Sequence, residues 1–229
     1  MKLSVVMPVY NEEATLREIV ARVLATPYEK ELILVDDCSQ DSSPEIIAEL
    51  EAAHPEVRAF RHETNSGKGA ALRTGFQNVE GDAVVIQDAD LEYDPTEYAK
   101  LLVPFEAGEA DVVYGSRFLG GAYTLEVNFW RYHGNRTLTR VSNLFTGLRL
   151  TDMETCYKLM RADVARDLDI KSRTFTVEPE MTAKFARRKL RVVEVPISYD
   201  SRGYDEGKKI GLKDAFLAIG AIVRFRFFA

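Results

Sequence analysis

The sequence predicts an α/β fold in which a mostly parallel central sheet is covered by helices on both faces. Short apolar runs of strand type alternate along the chain with segments whose apolar residues recur at helical spacing. Strands that alternate with helices pair in parallel through right-handed crossovers. The length of 229 residues is near the upper limit for one hydrophobic core. We therefore expect one main domain.

The predicted elements follow one another as strand, loop and helix. Leu3–Val9 is the first apolar run, and apolar residues at helical spacing follow it from Leu16 to Leu24. Ser43 as N-cap and Pro44 at the first helical position open the second helix. The six predicted strands cover residues 3–9, 32–35, 57–60, 83–87, 111–114 and 192–197. We expect a sheet of about six or seven strands.

Composition narrows the function classes. The 30 basic residues are outnumbered by 36 acidic ones, which argues against nucleic acid as a partner. The two cysteines, Cys38 and Cys156, have neither metal-ligand spacing nor the density of a disulfide framework, which favours a reducing compartment. Residues 1–8 are too short and too soon interrupted by Pro8 to form a signal peptide. The predicted location is therefore cytoplasmic.

Polar clusters follow each of the first four predicted strands. They are Tyr10-Asn11-Glu12, Asp36-Asp37, residues 65–69 with Lys68 between two glycines, and Asp88-Ala89-Asp90. Each cluster alone also has a structural explanation as a helix cap, a turn or a tight bend. In a parallel sheet the ligand crevice lies at the carboxyl ends of the strands, where all four would meet. Together they favour a nucleotide site.

Asp88 and Asp90 predict a metal site. Side chains alternate along a strand, so the two carboxylates would project to the same side, and Glu92 would continue the alternation if the chain stays extended. Carboxylate oxygens are ligands that hard divalent cations prefer. A solvated loop that merely ends the strand is the alternative.

These motifs resemble the family 2 glycosyltransferases of GT-A fold, a single Rossmann-like domain. The likeness covers nearly the whole chain and is greatest to the dolichyl-phosphate or polyprenyl-phosphate mannosyltransferase branch. It is carried by these segments: residues 8–12, 35–41, 88–90, 115–117, 151–158 and 194–199. It implies inverting transfer of a hexose from GDP-mannose or UDP-glucose to a polyprenyl or dolichyl phosphate, with Mg²⁺ or Mn²⁺, in cell-envelope biogenesis.

The resemblance also implies roles for the donor residues. Pro8, Tyr10 and Glu12 would contact the nucleobase and ribose, and Asp37 would accept a hydrogen bond from the base or sugar. Asp88, Ala89 and Asp90 would approach the ribose and diphosphate, with Asp88, Asp90 and Glu92 as metal ligands, although the closest relatives usually carry Gln at the last position. Lys68 would neutralise a donor phosphate or remain a solvated surface lysine. Arg202 and Lys208 would belong to a lid that clamps the diphosphate.

The acceptor residues implied by the resemblance are Arg117 and Arg131, with Ser116 and Asn135 as hydrogen-bonding companions. Arginine suits a phosphate acceptor because its planar fork binds two oxygens. Asp90, Arg117 and Arg131 are thus the predicted catalytic residues. Asp152 and Glu154 lie where many relatives with hydroxyl acceptors have their catalytic base, so transfer to a glycan hydroxyl is the alternative. A nucleotide-sugar binding module without turnover is a further one.

The tail is predicted as an amphipathic helix, residues 212–229, after a transferase domain of residues 1–211. Its uncharged run, Ala215–Val223, is far shorter than the roughly 20 residues of a membrane span. Phenylalanines flanked by Lys213, Arg224 and Arg226 would suit either a membrane interface or packing on the domain. Peripheral contact with the cytoplasmic face of a membrane is therefore expected, because a polyprenyl phosphate keeps its chain in the bilayer.

Overall fold

The computed structural model describes residues 1–119, 129–174, 176–200 and 212–228, without the side chains of 129–131 and 212–216. This part of the chain contains seven strands and eight α-helices. The strands are β1 Leu3–Val9, β2 Lys30–Asp36, β3 Val57–Arg61, β4 Ala83–Ile86, β5 Val112–Ser116, β6 Lys158–Arg161 and β7 Val192–Pro196. The helices are α1 Leu16–Ala25, α2 Ser43–Ala53, α3 Lys68–Gln77, α4 Tyr98–Glu106, α5 Phe129–Thr146, α6 Ala162–Arg166, α7 Val177–Arg187 and α8 Leu212–Phe227.

The strands belong to one mostly parallel sheet, which confirms the predicted fold class. The chain forms two compact units, Met1–Thr96 with Leu159–Thr174, and Glu97–Lys158 with Phe175–Ala229. In the first unit the strand order is β3, β2, β1, β4, β6. β1 pairs in parallel with β2 and β4, and β2 pairs in parallel with β3. In the second unit β5 and β7 form a parallel pair.

Burial explains why β1, β2 and β4 form the centre of the first unit. Their apolar side chains are almost wholly excluded from solvent on both faces. Such continuous apolar runs are typical of parallel strands that are covered on both sides. The helix α3 packs against β1, where Gly75 lies so close to Val6 that a Cβ would come within 2.3 Å of that side chain.

Two sequence predictions need correction. Ser42, not Ser43, is the N-cap of α2, and Ser43 is its first helical residue. The Ser43 hydroxyl is buried and instead accepts a hydrogen bond from the Glu12 backbone N–H at 3.0 Å. The strand β6 was not predicted. It has only four residues, and the first of them, the buried Lys158, is a charged residue that also ends the family-like segment 151–158. β6 is antiparallel to β4, which a sheet predicted to be mostly rather than wholly parallel allows.

The helix α8 packs within the second unit against α5 and α7. Ala221 and Phe225 form a buried cluster with Ala183 of α7. Arg226 Nε donates a hydrogen bond to the carbonyl of Phe145, at 3.2 Å. Among the described helices, α8 included, none combines the length and the apolar character that crossing a bilayer requires. Whether 212–229 acts as a separate interfacial helix stays a prediction.

Candidate functional site

The carboxyl ends of β1 to β4 meet at one edge of the first unit. Their parallel register brings Val9 beside Asp36 and Asp36 beside Arg61, while β4 runs next to β1 in the same direction. The four polar clusters found in the sequence therefore follow strands that end together. This edge is the predicted location for a ligand in an open parallel sheet.

The loops that follow β1 and β2 are joined by reciprocal hydrogen bonds. The Asn11 N–H donates to Ser39 Oγ at 3.0 Å, and the Gln40 N–H donates to Asn11 Oδ1 at 2.8 Å. Asn11 and Cys38 both adopt positive φ, which asparagine tolerates better than most residues. Tyr10 stays 47% exposed beside this junction, so its ring is available to a ligand.

The Thr15 hydroxyl connects Glu12, in the loop after β1, to the loop after β4. Thr15 Oγ1 lies 3.0 Å from Glu12 Oε2 and 3.0 Å from the carbonyl oxygen of Ala89. Pro8 lies within β1, beside Val35 of β2. Pro8, Tyr10, Glu12 and Ala89, all predicted donor residues, therefore lie on loops or strands at one edge of the sheet. Their contacts with a donor stay predictions.

Asp37 fastens the loop that precedes α3. Its Oδ1 accepts the Ser66 N–H at 2.9 Å, and its Oδ2 accepts the Gly67 N–H at 2.6 Å. The His62 ring bridges Asp37 and Thr74, with Nδ1 2.7 Å from Asp37 Oδ1 and Nε2 2.9 Å from Thr74 Oγ1. Both Asp37 oxygens support the protein's own loop, and the contact with the nucleobase or sugar that the resemblance implies stays a prediction.

Gly67 and Gly69 allow the loop to lie directly on the backbone of residues 172–173. Gly67 has φ of +85°, and a Cβ there would be 2.0 Å from the Arg173 carbonyl oxygen. A Cβ at Gly69 would be equally close to the Ser172 carbonyl oxygen. Any side chain at either position would therefore displace the loop. Lys68, between them, is the first residue of α3.

The predicted metal residues lie in a bend, not in a continued strand. β4 ends at Ile86, so Glu92 does not continue a strand alternation. Lys68 Nζ lies 2.8 Å from Asp88 Oδ1, and the Glu92 N–H donates to Asp90 Oδ1 at 3.1 Å. Within the described ranges, no group of three or more His, Cys, Asp or Glu side chains is arranged to hold a metal ion. Carboxylate oxygens are ligands that suit a hard cation. The Lys68 ammonium already forms an ion pair with one of these carboxylates, that of Asp88.

In the second unit, Arg117 forms a buried ion pair with Asp152. Arg117 Nε and Nη2 each lie 2.7 Å from one Asp152 oxygen, and the Arg117 N–H donates to Oδ2 at 3.0 Å. The Asp152 side chain is fully buried and that of Arg117 is 9% exposed. The guanidinium carbon also lies 5.1 Å from the Tyr199 ring centroid. The geometry is bidentate, the arrangement in which arginine binds carboxylates most strongly.

Neighbouring residues hold the Arg117 loop in place. Ser116 Oγ lies 2.7 Å from Thr151 Oγ1 and accepts the Phe118 N–H at 3.2 Å. Glu194 accepts the backbone N–H groups of Thr151 and Asp152, at 2.7 and 3.0 Å. Burial raises the pKa of Glu194. Ser116 is wholly buried, so in this structure its hydroxyl supports the loop.

The other predicted acceptor residues lie on α5. Arg131 and Asn135 are one helical turn apart, and the Arg131 side chain is outside the described part of the structure. Arg202 and Lys208, the predicted lid residues, also lie outside the described residues. The roles of all four in binding stay predictions.

Glu154 is a buried carboxyl group next to this ion pair. Its Oε1 is excluded from solvent and has no hydrogen-bond partner among the described residues. Burial, followed by the nearby Glu178 carboxylate, raises the pKa of Glu154 to about 8, while Lys158 and Arg117 oppose that shift. Glu154 is therefore protonated near neutral pH.

Sequence reasoning missed His62, Thr15 and Glu194 as supporting residues. His62 directly follows β3, as the other polar clusters follow their strands, so its position was a usable signal. Glu194 lay in a segment quoted for family likeness, but nothing local showed that it binds a loop more than forty residues away. Nothing in the sequence around Thr15, apart from its position before a helix, indicated that it supports the site.

The polar residues gather where parallel strands end, which is the position at which open α/β sheets bind their ligands. The chain belongs to glycosyl transferase family 2, whose model matches residues 4–169. It is 30% identical to the undecaprenyl-phosphate mannosyltransferase of Micrococcus luteus over 92% of this chain and 88% of that protein. It is also 30% identical to the polyprenol monophosphomannose synthase of Mycolicibacterium smegmatis, over 90% of this chain and 80% of that protein.

Other relatives are longer than this chain. The dolichol-phosphate mannosyltransferase of Pyrococcus furiosus is 29% identical, and the match covers 60% of that protein. For the hexosyltransferase Agl6 of Haloferax volcanii, which acts in low-salt glycan biosynthesis, the match covers 48%.

Solved structures show the same fold. Glucosyl-3-phosphoglycerate synthase of Mycobacterium tuberculosis, crystallised with Mn²⁺ and UDP-glucose, matches 98% of this chain and 77% of its own, with a TM-score of 0.71 and 19% identity. Staphylococcus aureus TarS with UDP-GlcNAc matches 98% of this chain and 67% of its own, with a TM-score of 0.67 and 20% identity. The predicted GT-A fold is thereby confirmed, and the chain is a glycosyltransferase.

Proposed function

We propose that this chain transfers a hexose from a nucleoside-diphosphate sugar to a polyprenyl phosphate, with inversion at the sugar carbon. The observation that carries the proposal is the likeness to the Micrococcus luteus and Mycolicibacterium smegmatis enzymes, which spans most of both chains. The names of both enzymes specify a phosphorylated polyprenol and mannose. Mannose from GDP-mannose and glucose from UDP-glucose are the two donors that we would test first.

The donor binds at the edge formed by the carboxyl ends of β1 to β4. Asp88 and Asp90 are the residues that would hold Mg²⁺ or Mn²⁺, with Glu92 next to them in the same bend. A bound divalent cation would stabilise the negative charge on the departing diphosphate. Lys68, fixed at the start of α3, supplies a second positive charge within reach of a phosphate oxygen.

The acceptor phosphate binds near Arg117 in the second unit. A phosphate oxygen is already anionic near neutral pH, so it needs cationic positioning rather than a general base. The two carboxyl groups where relatives with hydroxyl acceptors have their base are poorly suited to that role here. Asp152 is fully buried in its ion pair, and Glu154 is protonated at pH 7 because of its raised pKa. These states support a phosphate acceptor over a sugar hydroxyl.

The chemical step is a single displacement. A phosphate oxygen of the acceptor forms a bond to the anomeric carbon while the bond from that carbon to the diphosphate breaks, through an oxocarbenium-like state. The bonding electrons leave with the nucleoside diphosphate, and no proton has to be removed from the nucleophile. Inversion follows because attack and departure occur on opposite faces of the sugar.

A polyprenyl phosphate keeps its hydrocarbon in the bilayer, so we propose that the enzyme works at the cytoplasmic face of a membrane. Phe228 of the tail is 82% exposed and Phe227 is 58% exposed, next to Arg224 and Arg226. An exposed aromatic pair with adjacent cations suits an interface with anionic lipids.

The test is transfer of radiolabelled sugar from GDP-mannose or UDP-glucose to a short polyprenyl phosphate, with Mg²⁺, Mn²⁺ or EDTA. We expect a lipid-extractable product with metal and little with EDTA. Asp88→Asn should abolish the product, whereas Asp82→Asn, at the other end of β4, should leave it. Release of free sugar without a lipid product, or full activity of Asp88→Asn, would refute the proposal.

A further inference from the structure

The contact between Lys68 and Asp88 joins the glycine-flanked loop to the predicted metal residues. Lys68 Nζ lies 2.8 Å from Asp88 Oδ1, and both side chains are about a quarter exposed. A cation therefore already neutralises the carboxylate that the metal would use. The pair lies where solvent and small ligands can reach it.

The Lys68 backbone has little freedom to move away. Asp37 accepts the N–H groups of Ser66 and Gly67, and the Gly69 N–H donates to the Arg173 carbonyl at 3.1 Å. The residues on either side of Lys68 are thus anchored from both directions. Only the side chain can change partner, by rotating from Asp88 to another anion within its reach.

We propose that Lys68 competes with the divalent cation for Asp88 and releases this carboxylate when a nucleoside diphosphate binds. Two cations close to one carboxylate repel each other, so the ammonium weakens metal binding while no phosphate is present. A diphosphate offers Lys68 new anionic partners. When the Lys68 ammonium leaves Asp88 for these partners, it no longer repels the divalent cation. Metal alone then binds weakly, and metal with nucleotide binds tightly. The inference depends on the proposed function only for the identity of the donor as a nucleoside diphosphate.

The experiment measures Mn²⁺ binding to the purified full chain by the electron paramagnetic resonance signal of free Mn²⁺. Lys68→Met keeps the length of the side chain and removes the charge. We expect it to bind Mn²⁺ alone about tenfold more tightly than the wild type. Its affinity for UDP and GDP in EDTA, measured by calorimetry, should fall about as much, because Lys68 no longer meets the phosphates. Opposite changes for the two ligands exclude loss of folding as the cause.

Two variants serve as controls. Lys68→Arg keeps the charge and should bind Mn²⁺ alone as weakly as the wild type. Lys2→Met removes the same charge from a lysine that contacts Glu31 and Glu80 at the opposite end of β1, and should change neither affinity.

An affinity of Lys68→Met for Mn²⁺ alone that equals or falls below the wild-type value would overturn the inference, even if transfer activity is demonstrated. If neither protein binds Mn²⁺ with or without nucleotide, the inference and the metal dependence of the proposed function both fail. If Lys68→Met binds Mn²⁺ more tightly and the wild type transfers no sugar to a polyprenyl phosphate, the inference is upheld and the proposed acceptor is rejected.

Discussion

Arg117 shows what residue-level sequence reasoning could and could not reach. The motif position predicted a functional arginine, and Asp152 was noted separately because it lies where many relatives with hydroxyl acceptors have their catalytic base. The structure joins them in one buried ion pair. The partners are 35 residues apart, and no local periodicity specifies such a contact. The pair adds a structural role to the phosphate-binding role that we propose.

The first prediction separates these two roles. Arg117→Ala should destabilise the protein by about 3–5 kcal/mol, because it leaves the buried Asp152 charge without its partner. The double variant Arg117→Met/Asp152→Asn removes both charges and should recover most of that stability in urea unfolding. We expect transfer to polyprenyl phosphate to stay below a hundredth of wild type in both variants. Wild-type turnover by the folded double variant would show that Arg117 does not bind the acceptor.

The second prediction concerns Glu154. Its pKa in the folded protein is raised from 4.5 to about 8 by burial, so folding favours the protonated form. The free energy of unfolding therefore falls as pH rises from about 4.5 to 8, by at most about 5 kcal/mol. Glu154→Gln keeps the neutral shape and should be more stable than wild type at pH 9, with the advantage shrinking toward pH 5. Parallel melting-temperature profiles of the two proteins would contradict the raised pKa.

At the scale of elements, the loops that follow strands were found by sequence but their internal geometry was not. Glu92 was expected to continue the alternation of Asp88 and Asp90 only if the chain stayed extended, and the chain bends after Ile86. Asp37 was assigned to the nucleobase or sugar, a role that stays a prediction, and its carboxylate also holds the Gly67 loop through backbone N–H groups. The Asp37 contacts join two separate loops, and strand and helix periodicity does not encode such contacts.

The third prediction tests how the Gly67 loop is held. Gly67→Ala places a Cβ 2.0 Å from the Arg173 carbonyl at a positive φ, so the loop must shift. We expect a loss of about 2–4 kcal/mol and weaker nucleotide binding. Gly108 has a similar φ of +70° but nothing within 4 Å of a Cβ, so Gly108→Ala should cost only about 1 kcal/mol and leave nucleotide affinity unchanged. Equal effects in the two variants would mean that the close contact with Arg173 is unimportant.

The fourth prediction separates packing from membrane contact in α8. Phe225 is 3% exposed and packs against α7, so Phe225→Ala should destabilise the protein by about 3–5 kcal/mol. Phe228 is exposed, so Phe228→Ala should change stability by less than about 0.5 kcal/mol but weaken sedimentation with anionic lipid vesicles. Undiminished vesicle binding by Phe228→Ala would leave the tail with a packing role alone.

For the whole molecule, apolar strand segments that alternate along the chain with helical segments were sufficient to predict the α/β class and the mostly parallel sheet. Strands that are buried on both faces are recognisable because their apolar residues form a continuous run. The antiparallel β6 escaped prediction, since four residues that include a buried lysine carry no clear strand pattern. The residues that end the strands predicted a nucleotide and metal site, and the resemblance to family 2 implied glycosyl transfer to a polyprenyl phosphate. The buried states of Asp152 and Glu154 could not be predicted from the sequence, because they depend on partners distant in the chain.

The most direct test of the account compares two acceptors that differ only in the phosphate. With the same donor and metal, the enzyme is given a polyprenyl phosphate or the free polyprenol of equal length, and the lipid-linked sugar is measured. We predict efficient transfer to the phosphate and a rate at least a hundredfold lower to the alcohol, because the alcohol offers Arg117 no phosphate to bind and neither Asp152 nor Glu154 is suited to deprotonate a hydroxyl. Equal or faster transfer to the alcohol would contradict the account.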